Sequence, residues 1–394
     1  MIRLMTPISP ILAGLRSGVV ALGLVLVAGS PALAAMATKA PHAFLMDAQT
    51  GAVLLDKDGD KPMAPASMSK LMTVFMLLEA LKEGRVSLDS MFSVSEYAWE
   101  HGGAASGSST MFLKPHEQVK VEDLLRGIVI QSGNDACIVV AENLGVTEAE
   151  FAQKMTRRAR EIGLTDSTFA NATGWPNPDQ LMSARDLARL ARELITRFPS
   201  FYEVFSEKSF THNGIKQGNR NPLLYRFPGA DGLKTGHTED SGYGLVGSAK
   251  VNDRRLILVI NGLATNKERS EESERLLNWG FSEFTNATLF KKGETVDSAE
   301  VWLGAKNTVA LQAPEDMTFT MPRAARRDMK VSVVVDQPVA APIKAGQKVA
   351  TLKVTAPGMD PIERPLLAAE SIDRLGFTGR IVAAAKYLFW GYSR

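Results

Sequence analysis

The sequence predicts an α+β fold in two folded parts: an antiparallel sheet with helices around it, then a small all-β sandwich domain, with an amphipathic helix at the C-terminus. The length of 394 residues exceeds an average domain of roughly 100 to 200 residues. Strand-like and helix-like stretches alternate from Pro41 to about Asn286, as in a sheet covered by helices. After Asn286 the sequence becomes rich in proline and in short β-branched runs, which favours a β domain.

The composition excludes several classes of protein. Hydrophobic residues make up 45% and charged residues 22% of the chain, which excludes a disordered, collagen-like or coiled-coil protein. The net charge of +2 is too small to indicate a nucleic-acid partner. The single cysteine, Cys137, lies in an apolar helical stretch and is expected to be a buried, small hydrophobic residue. The histidines are scattered and no cluster has metal-ligand spacing, so neither a metal nor a cofactor is expected.

Residues 1–34 have the features of a secretory signal peptide. Arg3 and Arg16 precede an apolar run at 19–28, and an Ala-Leu-Ala sequence at 32–34 has the form of a cleavage site. The apolar run is shorter than the about 20 residues that a membrane-spanning helix needs. We therefore expect these residues to be removed on export.

The first folded part is predicted at residues 35–286. Apolar stretches at 43–46 and 52–55 flank turn residues and predict a hairpin. Apolar residues at spacings of three and four predict a helix from about Ser67 to Glu83. The same patterns predict the remaining elements: helices near 121–130, 135–144, 148–162 and 184–197, strands at 243–251 and 255–262, and a helix at 270–281.

The second part is predicted as a β-sandwich at residues 287–370, followed by a helix within 371–394. β-branched runs such as 331–336 and 349–354 provide its strands. On a helix, the tail forms one apolar stripe with basic residues outside it, which predicts a helix lying on an anionic membrane surface. The stripe consists of Ile381, Ala385, Leu388, Phe389 and Tyr392 with Val382 at its edge, and the basic residues are Arg380, Lys386 and Arg394. The alternative is a terminal helix docked on the β domain.

A Ser-x-x-Lys sequence, Ser67 to Lys70, opens the first long predicted helix. Residues three apart share a helix face, so the Lys70 amine can approach the Ser67 hydroxyl. A serine becomes a good nucleophile when a base takes its proton, and a lysine kept neutral by its surroundings can act as that base. By itself, this short sequence is more typical of an ordinary helix start than of an active site.

Two further short motifs carry polar side chains of the same kind. Ser132-Gly133-Asn134 lies between two predicted helices, where a tight glycine turn can direct both polar side chains into a cleft. Lys234-Thr235-Gly236-His237 lies at the start of a late strand. There, Lys234 brings positive charge, Thr235 a hydroxyl, and Gly236 a close approach of the backbone to a ligand.

These three motifs, in this order, resemble the active-site set of penicillin-binding proteins and class A β-lactamases. In particular, the chain resembles the low-molecular-mass penicillin-binding proteins that are serine-type D-alanyl-D-alanine carboxypeptidases. The resemblance extends over nearly the whole mature chain, including the β-rich domain and the basic tail. The stretches of this chain that carry the resemblance are residues 65–70, 107–109, 111–115, 132–136, 219–221, 231–238 and 279–281.

The resemblance implies a role for each motif residue. Ser67 would attack the carbonyl between two terminal D-alanines with Lys70 as general base. Ser132 and Lys234 would pass a proton to the leaving D-alanine. Backbone N–H groups of Ser67 and His237 would bind the oxyanion. The implied substrate contacts are Asn134 on an amide and Thr235, helped by Lys234 and Arg269, on the free terminal carboxylate. Gly236 and His237 are the other implied substrate-binding residues.

The resemblance also implies partners and a location. The substrate would be the peptidoglycan stem peptide, with a role in cell-wall biosynthesis and cell shape, and β-lactam antibiotics would be covalent inhibitors. The enzyme would be exported to the periplasmic face of the bacterial cytoplasmic membrane and anchored peripherally by its C-terminal helix.

Three alternative functions remain open at this stage. A β-lactamase needs a second base, and Glu274 begins a Glu-x-x-Leu-Asn sequence like that of class A enzymes. It follows Lys234 instead of preceding it, and the match is therefore false. A D,D-endopeptidase would use the same residues on cross-linked peptides. A non-catalytic peptidoglycan-binding protein would not need Ser67 and Lys70 together.

Overall fold

The computed structural model describes residues 36–335 and 339–390, and the side chains of all of these except 384–390. The predicted signal peptide at 1–34 and the tail residues Tyr392 and Arg394 lie outside the described residues. The prediction of an apolar stripe along the C-terminal helix can thus be compared with the structure only in its first turns.

A five-stranded antiparallel sheet forms the centre of the first part. In chain order the elements are β1 (His42–Asp47), β2 (Val53–Lys57), α1 (Lys70–Lys82), β3 (Met91–Ser93), α2 (Glu96–Gly102), β4 (Gln118–Lys120), α3 (Val121–Arg126), α4 (Asn134–Gly145), α5 (Glu148–Glu161), α6 (Ala184–Arg197), β5 (Ser209–His212), β6 (Ile215–Gly218), α7 (Leu223–Arg226), β7 (Ala230–Thr238), β8 (Gly242–Val251), β9 (Arg254–Leu263) and α8 (Asn266–Glu283). The strand order in the sheet is β2-β1-β9-β8-β7, and the predicted hairpin is confirmed as β1 and β2.

Both faces of this sheet are covered, and the central strand β9 shows why. Successive side chains of a strand point to opposite faces. Ile257 and Val259 therefore join the large core formed with helices α1 and α3 to α6, whereas Leu256 and Leu258 pack against α8 on the other face. The run of consecutive apolar residues in β9 is what a strand buried on both faces requires.

Several elements differ from the sequence-based expectations. The helix predicted from Ser67 begins as a 3-10 turn at Ala66–Ser69, and the regular helix α1 starts at Lys70. Lys234 lies in the middle of β7 and not at its start. The short elements α2, α7 and β3 to β6 were not predicted, because elements of three to seven residues contain too few apolar repeats to show a period.

The second part is the expected all-β domain. Its elements are β10 (Phe284–Phe290), β11 (Thr295–Trp302), β12 (Thr308–Gln312), β13 (Met317–Pro322), β14 (Lys330–Val335), β15 (Val339–Ala340), β16 (Lys348–Thr355), β17 (Ile362–Ala368) and the helix α9 (Phe377–Trp390). A six-stranded sheet in the order β14-β16-β17-β12-β11-β15 and the two-stranded pair β10-β13 enclose a separate buried core. Residue Ile372, just before α9, is buried in this core.

A polar network joins the two parts. The fully buried Asp47 carboxylate accepts hydrogen bonds from Arg254 Nε at 2.9 Å and from Asn286 Nδ2 at 3.0 Å. The hydroxyls of Thr50 and Thr320 lie 2.6 Å apart across the same junction. Because a buried charge is stable only when it is paired and hydrogen-bonded, this network holds strand β10 against the first sheet.

Candidate active site

Ser67 and Lys70 are in direct contact at the start of α1. Lys70 Nζ donates a hydrogen bond to Ser67 Oγ at 2.8 Å and a second one to the carbonyl oxygen of Thr173. The preceding residue, Ala66, has a φ of 46°, a left-handed conformation that costs energy for a residue other than glycine. This turn presents Ser67 at the end of the helix, directly above the Lys70 amine.

The Lys70 side chain is fully buried, and burial lowers its pKa to about 8. Desolvation disfavours the charged form of an amine. A lysine with this pKa is neutral in about a tenth of the molecules at pH 7. Lys70 can therefore accept the proton of Ser67, as a general base must.

A second lysine and serine pair lies within the same cleft. Lys234 Nζ donates to Ser132 Oγ at 2.9 Å and to the Thr235 carbonyl oxygen at 3.1 Å. Ser132 has a φ of 61° at the end of a π-helical turn, Gly127–Gln131, so its side chain points back towards β7. Burial, with a further contribution from the charge of Lys70, lowers the pKa of Lys234.

Asn134 begins helix α4 and has one free polar atom. Its Nδ2 donates to Ser108 Oγ at 2.9 Å. Its Oδ1 is buried and has no hydrogen-bond partner among the residues that the structure describes. The side-chain oxygen of Asn134 can thus accept a hydrogen bond from an N–H group of a bound peptide.

The buried carboxylate of Asp135 fixes the loop beside Asn134. It accepts hydrogen bonds from Thr110 Oγ1 at 2.5 Å, Met111 N at 3.0 Å and Leu113 N at 3.1 Å. Burial raises the pKa of Asp135, and these hydrogen bonds oppose that rise. Asp135 belongs to the sequence 132–136 that carries the family resemblance, but the sequence did not reveal this positioning role.

Glycines allow β7 and the Ser67 turn to approach each other. A Cβ atom at Gly236 would lie 2.9 Å from the Pro65 carbonyl oxygen and 3.2 Å from the Ala66 Cβ atom. One at Gly174 would lie 2.0 Å from the Ala66 carbonyl oxygen. The expectation for Gly236 was a close approach to a ligand, and the structure shows a close approach to the turn that carries Ser67.

Three of the expected substrate contacts lie on β7 and beside it. The buried Thr235 follows Lys234, and the His237 ring lies against Tyr243 in a tilted arrangement with a centroid separation of 3.9 Å. The Arg269 guanidinium lies over the same tyrosine, 5.5 Å from the ring centroid. It donates to Asn266 Oδ1 at 2.7 Å, and its buried Nε has no hydrogen-bond partner in the described part of the chain.

The cleft carries an excess of positive charge. Burial lowers the pKa of Arg269 to about 10. The charges of Lys70, Arg220 and Arg269 each lower the pKa of Lys234, so these four cations lie within electrostatic range of one another. Such a cleft attracts a carboxylate. Glu274, the false match to a β-lactamase base, instead forms an ion pair with Arg226, outside this group.

Thr173 is a site residue that sequence reasoning missed. It contributes a main-chain carbonyl, and a carbonyl group leaves no side-chain signature in the sequence. The only local signal is the following residue, Gly174, whose φ of 79° favours glycine.

Comparisons with known proteins agree with this site. Residues 29–265 match a family described as D-alanyl-D-alanine carboxypeptidase, and residues 284–374 match the penicillin-binding protein 5 C-terminal domain. The D-alanyl-D-alanine carboxypeptidase DacC of Escherichia coli strain K12 is 40% identical over 385 residues, which are 96% of each chain.

Solved structures show the same likeness. Penicillin-binding protein 5 of Haemophilus influenzae superposes with a TM-score of 0.80 at 36% identity, over 85% of this chain and 98% of that one. Penicillin-binding protein D2 of Listeria monocytogenes, in its ampicillin-bound form, has a TM-score of 0.54 at 29% identity over 61% of this chain and 97% of that one.

Fold and site together define a penicillin-binding serine hydrolase with a catalytic domain followed by a β domain. Within that class, the chain belongs to the D-alanyl-D-alanine carboxypeptidase family. The family resemblance, the fold class and the expectation of a serine-type carboxypeptidase that binds penicillin are confirmed.

Proposed function

We propose that this enzyme removes the terminal D-alanine from peptidoglycan stem pentapeptides through an acyl-enzyme on Ser67. The contact between Lys70 Nζ and Ser67 Oγ, at 2.8 Å, carries the proposal. An amine whose pKa lies near 8 is suited to take the serine proton at neutral pH.

In the acylation step, Lys70 accepts the Ser67 proton while Oγ bonds to the carbonyl carbon between the two D-alanines. The backbone N–H groups of Ser67 and His237 stabilise the oxyanion, at about 3 kcal/mol for each donor. The C–N bond then breaks, and the proton taken from Ser67 passes from Lys70 through Ser132 and Lys234 to the leaving amine, so that Lys70 is neutral again. Water hydrolyses the ester in the second step, with Lys70 again as general base.

We assign recognition of the free terminal carboxylate to Thr235, Lys234 and Arg269. The support is the cationic character of the cleft and the buried Nε of Arg269, which has no hydrogen-bond partner among the residues that the structure describes. A carboxylate is the natural partner of buried cations that lack an acidic neighbour. Asn134 is assigned to an amide of the peptide because its buried Oδ1 also accepts no hydrogen bond within the described part of the chain.

Mass spectrometry of a stem pentapeptide incubated with the protein tests the reaction. Release of one D-alanine is the expected result. Cleavage of a cross-linked dimer, without any release from the pentapeptide, would instead identify a D,D-endopeptidase. Rapid turnover of penicillin would identify a β-lactamase, because a penicillin-binding enzyme keeps a long-lived acyl group on Ser67.

We also propose that the enzyme is exported and held at the membrane surface by α9. Phe377 is 72% exposed, and Ile381 and Val382 are each 55% exposed. These apolar side chains are not docked on the β domain, which supports an interfacial helix. In the described part of the chain, no helix has the length and apolarity needed to cross a bilayer.

A further inference from the structure

The buried segment 172–174 lies against the amine of Lys70. Two consecutive carbonyl groups of this segment accept hydrogen bonds from helix α1. Thr73 Oγ1 donates to the Ala172 carbonyl oxygen at 2.7 Å, and Lys70 Nζ donates to the Thr173 carbonyl oxygen. Since Lys70 is fully buried, the segment forms part of the wall that separates its amine from water.

The side chain of Asn171 fixes the shape of this segment. Its Oδ1 accepts hydrogen bonds from Thr173 N at 3.1 Å and from Gly174 N at 2.7 Å. The same atom accepts one from Thr173 Oγ1 at 3.0 Å and one from Trp175 N at 3.2 Å. Asparagine side chains stabilise turns by bonding to the backbone two residues further on. One carboxamide therefore sets the direction of the Thr173 carbonyl that meets Lys70.

The N-terminal end of the segment is held by other side chains. Gln180 Oε1 accepts a hydrogen bond from Asn171 N at 3.1 Å, and Glu148 Oε1 accepts one from Ala172 N at 3.0 Å. Both contacts are to main-chain N–H groups and do not involve the Asn171 side chain. Removal of that side chain would thus leave this end in place and release the part of the segment that touches Lys70.

Exclusion of water is what makes Lys70 suitable as a base. Burial makes the largest contribution to the lowering of its pKa to about 8. The charged and titratable groups that face Lys70 are Asp135 and Cys137 on α4, Glu148 on α5, Lys234 on β7, and Arg220. The acidic groups among them raise the pKa of Lys70 and Arg220 lowers it, each by less than burial does. An opening that admitted water would therefore raise this pKa towards the ordinary value of a lysine.

We propose that Asn171 is a positioning residue for the reaction: it keeps the segment 172–174 closed over Lys70, which excludes water from the amine and directs the Thr173 carbonyl oxygen at it. The inference rests on the proposed function, because it concerns the residue assigned as general base. In the neutral amine, one N–H group bonded to this carbonyl leaves the lone pair available to the Ser67 hydroxyl. After proton transfer, the same carbonyl accepts a hydrogen bond from the ammonium group.

Asn171→Ala tests this role through the pH dependence of acylation. Stopped-flow measurement of penicillin acylation between pH 6 and 10 gives the midpoint of the profile for the unmodified enzyme and for the variant. Because water would reach the amine, we expect the midpoint to rise by about one pH unit, so that the rate at pH 7 falls about tenfold. The rate on the plateau at high pH should fall by much less.

Asn171→Ser and Asn177→Ala complete the series. A serine hydroxyl forms the same kind of turn more weakly, so the midpoint of Asn171→Ser should lie between those of the unmodified enzyme and Asn171→Ala. Asn177 is exposed in the same loop, and its Oδ1 accepts a hydrogen bond from Asp179 N at 2.9 Å. Asn177→Ala is therefore the matched control and should retain the normal midpoint. Thermal melting shows whether each variant is folded.

An unchanged or lower midpoint in Asn171→Ala would overturn the positioning role, because a general loosening of the site lowers the rate at every pH without raising the midpoint. A rise of the same size in Asn177→Ala would overturn it as well. If Asn171→Ala does not fold, the midpoint of Asn171→Ser decides in the same way.

Penicillin acylation keeps this result separate from the proposed function. If the midpoints shift as expected but the stem pentapeptide loses no D-alanine, the proposed function fails and the role of Asn171 stands. If D-alanine is released but the midpoint of Asn171→Ala does not rise, the proposed function stands and the positioning role fails.

Discussion

The Nζ atom of Lys70 lies 2.8 Å from the Oγ atom of Ser67, and it donates hydrogen bonds to that atom and to the carbonyl oxygen of Thr173. Since the amine is fully buried, water cannot stabilise its charged form, and its pKa falls to about 8. Because burial lowers the pKa of Lys70, a larger fraction of the amine is neutral near pH 7, and a neutral amine can accept a proton. One turn of the chain therefore brings together the two residues that we propose as nucleophile and base.

Replacing Ser67 with alanine should abolish both D-alanine release and labelling by penicillin, because the two reactions use one nucleophile. Ser67 is only partly buried, so the melting temperature should change little. Fluorescent penicillin followed by gel electrophoresis measures the labelling. If the variant still becomes labelled, the nucleophile is another residue.

Lys70→Arg should acylate at least about 100-fold more slowly than the unmodified enzyme, because a guanidinium remains charged at all accessible pH values. The second-order rate constant for penicillin labelling is the measurement. Lys82→Arg, at the exposed end of the same helix, is the control and should retain the normal rate. A normal rate in Lys70→Arg would exclude Lys70 as the base.

The acylation rate should increase with pH up to an apparent pKa close to 8. Below that pH, Lys70 is increasingly protonated and cannot accept the Ser67 proton, so the rate should fall about tenfold for each further pH unit. Stopped-flow measurement of penicillin acylation between pH 5 and 9 gives this profile. A rate that stays constant from pH 6 to 9 would contradict a role for neutral Lys70.

The sequence allowed the motifs to be recognised but not their distances or surroundings. Ser67 and Lys70 are neighbours along one helix, so their contact followed from helical spacing. By contrast, Lys234 reaches Ser132 across 102 positions of the chain, and only the fold brings them together. Thr173 was missed because a main-chain carbonyl has no sequence signature.

Amidating the C-terminus of the substrate should lower kcat/KM by roughly thirtyfold or more, because buried cations would then lack their anion. Arg269→Ala should reduce activity on the acid peptide and have little effect on the amide. Lys267→Ala, an exposed position on the same helix, serves as the control. Equal rates on acid and amide in the unmodified enzyme would remove the assigned carboxylate site and favour an endopeptidase.

Deleting residues 377–394 should release the enzyme from the membrane fraction while leaving peptide hydrolysis intact. The deletion begins at the first residue of α9 and leaves Ile372, which packs in the β-domain core, in place. The described apolar side chains of the helix are exposed, so their removal should cost the domain little stability. Basic residues near an anionic surface contribute about 1 kcal/mol each, and the tail contains Arg380, Lys386 and Arg394.

Co-sedimentation with vesicles separates this anchor from a structural role for the helix. The full-length enzyme should bind vesicles that contain anionic lipid and bind neutral vesicles less well, whereas the truncated enzyme should bind neither. Arg380→Glu, which reverses one charge within the intact helix, should weaken binding to anionic vesicles and leave D-alanine release unchanged. If the truncated enzyme still sediments with membranes, or unfolds and loses activity, the helix is part of the fold and not a membrane anchor.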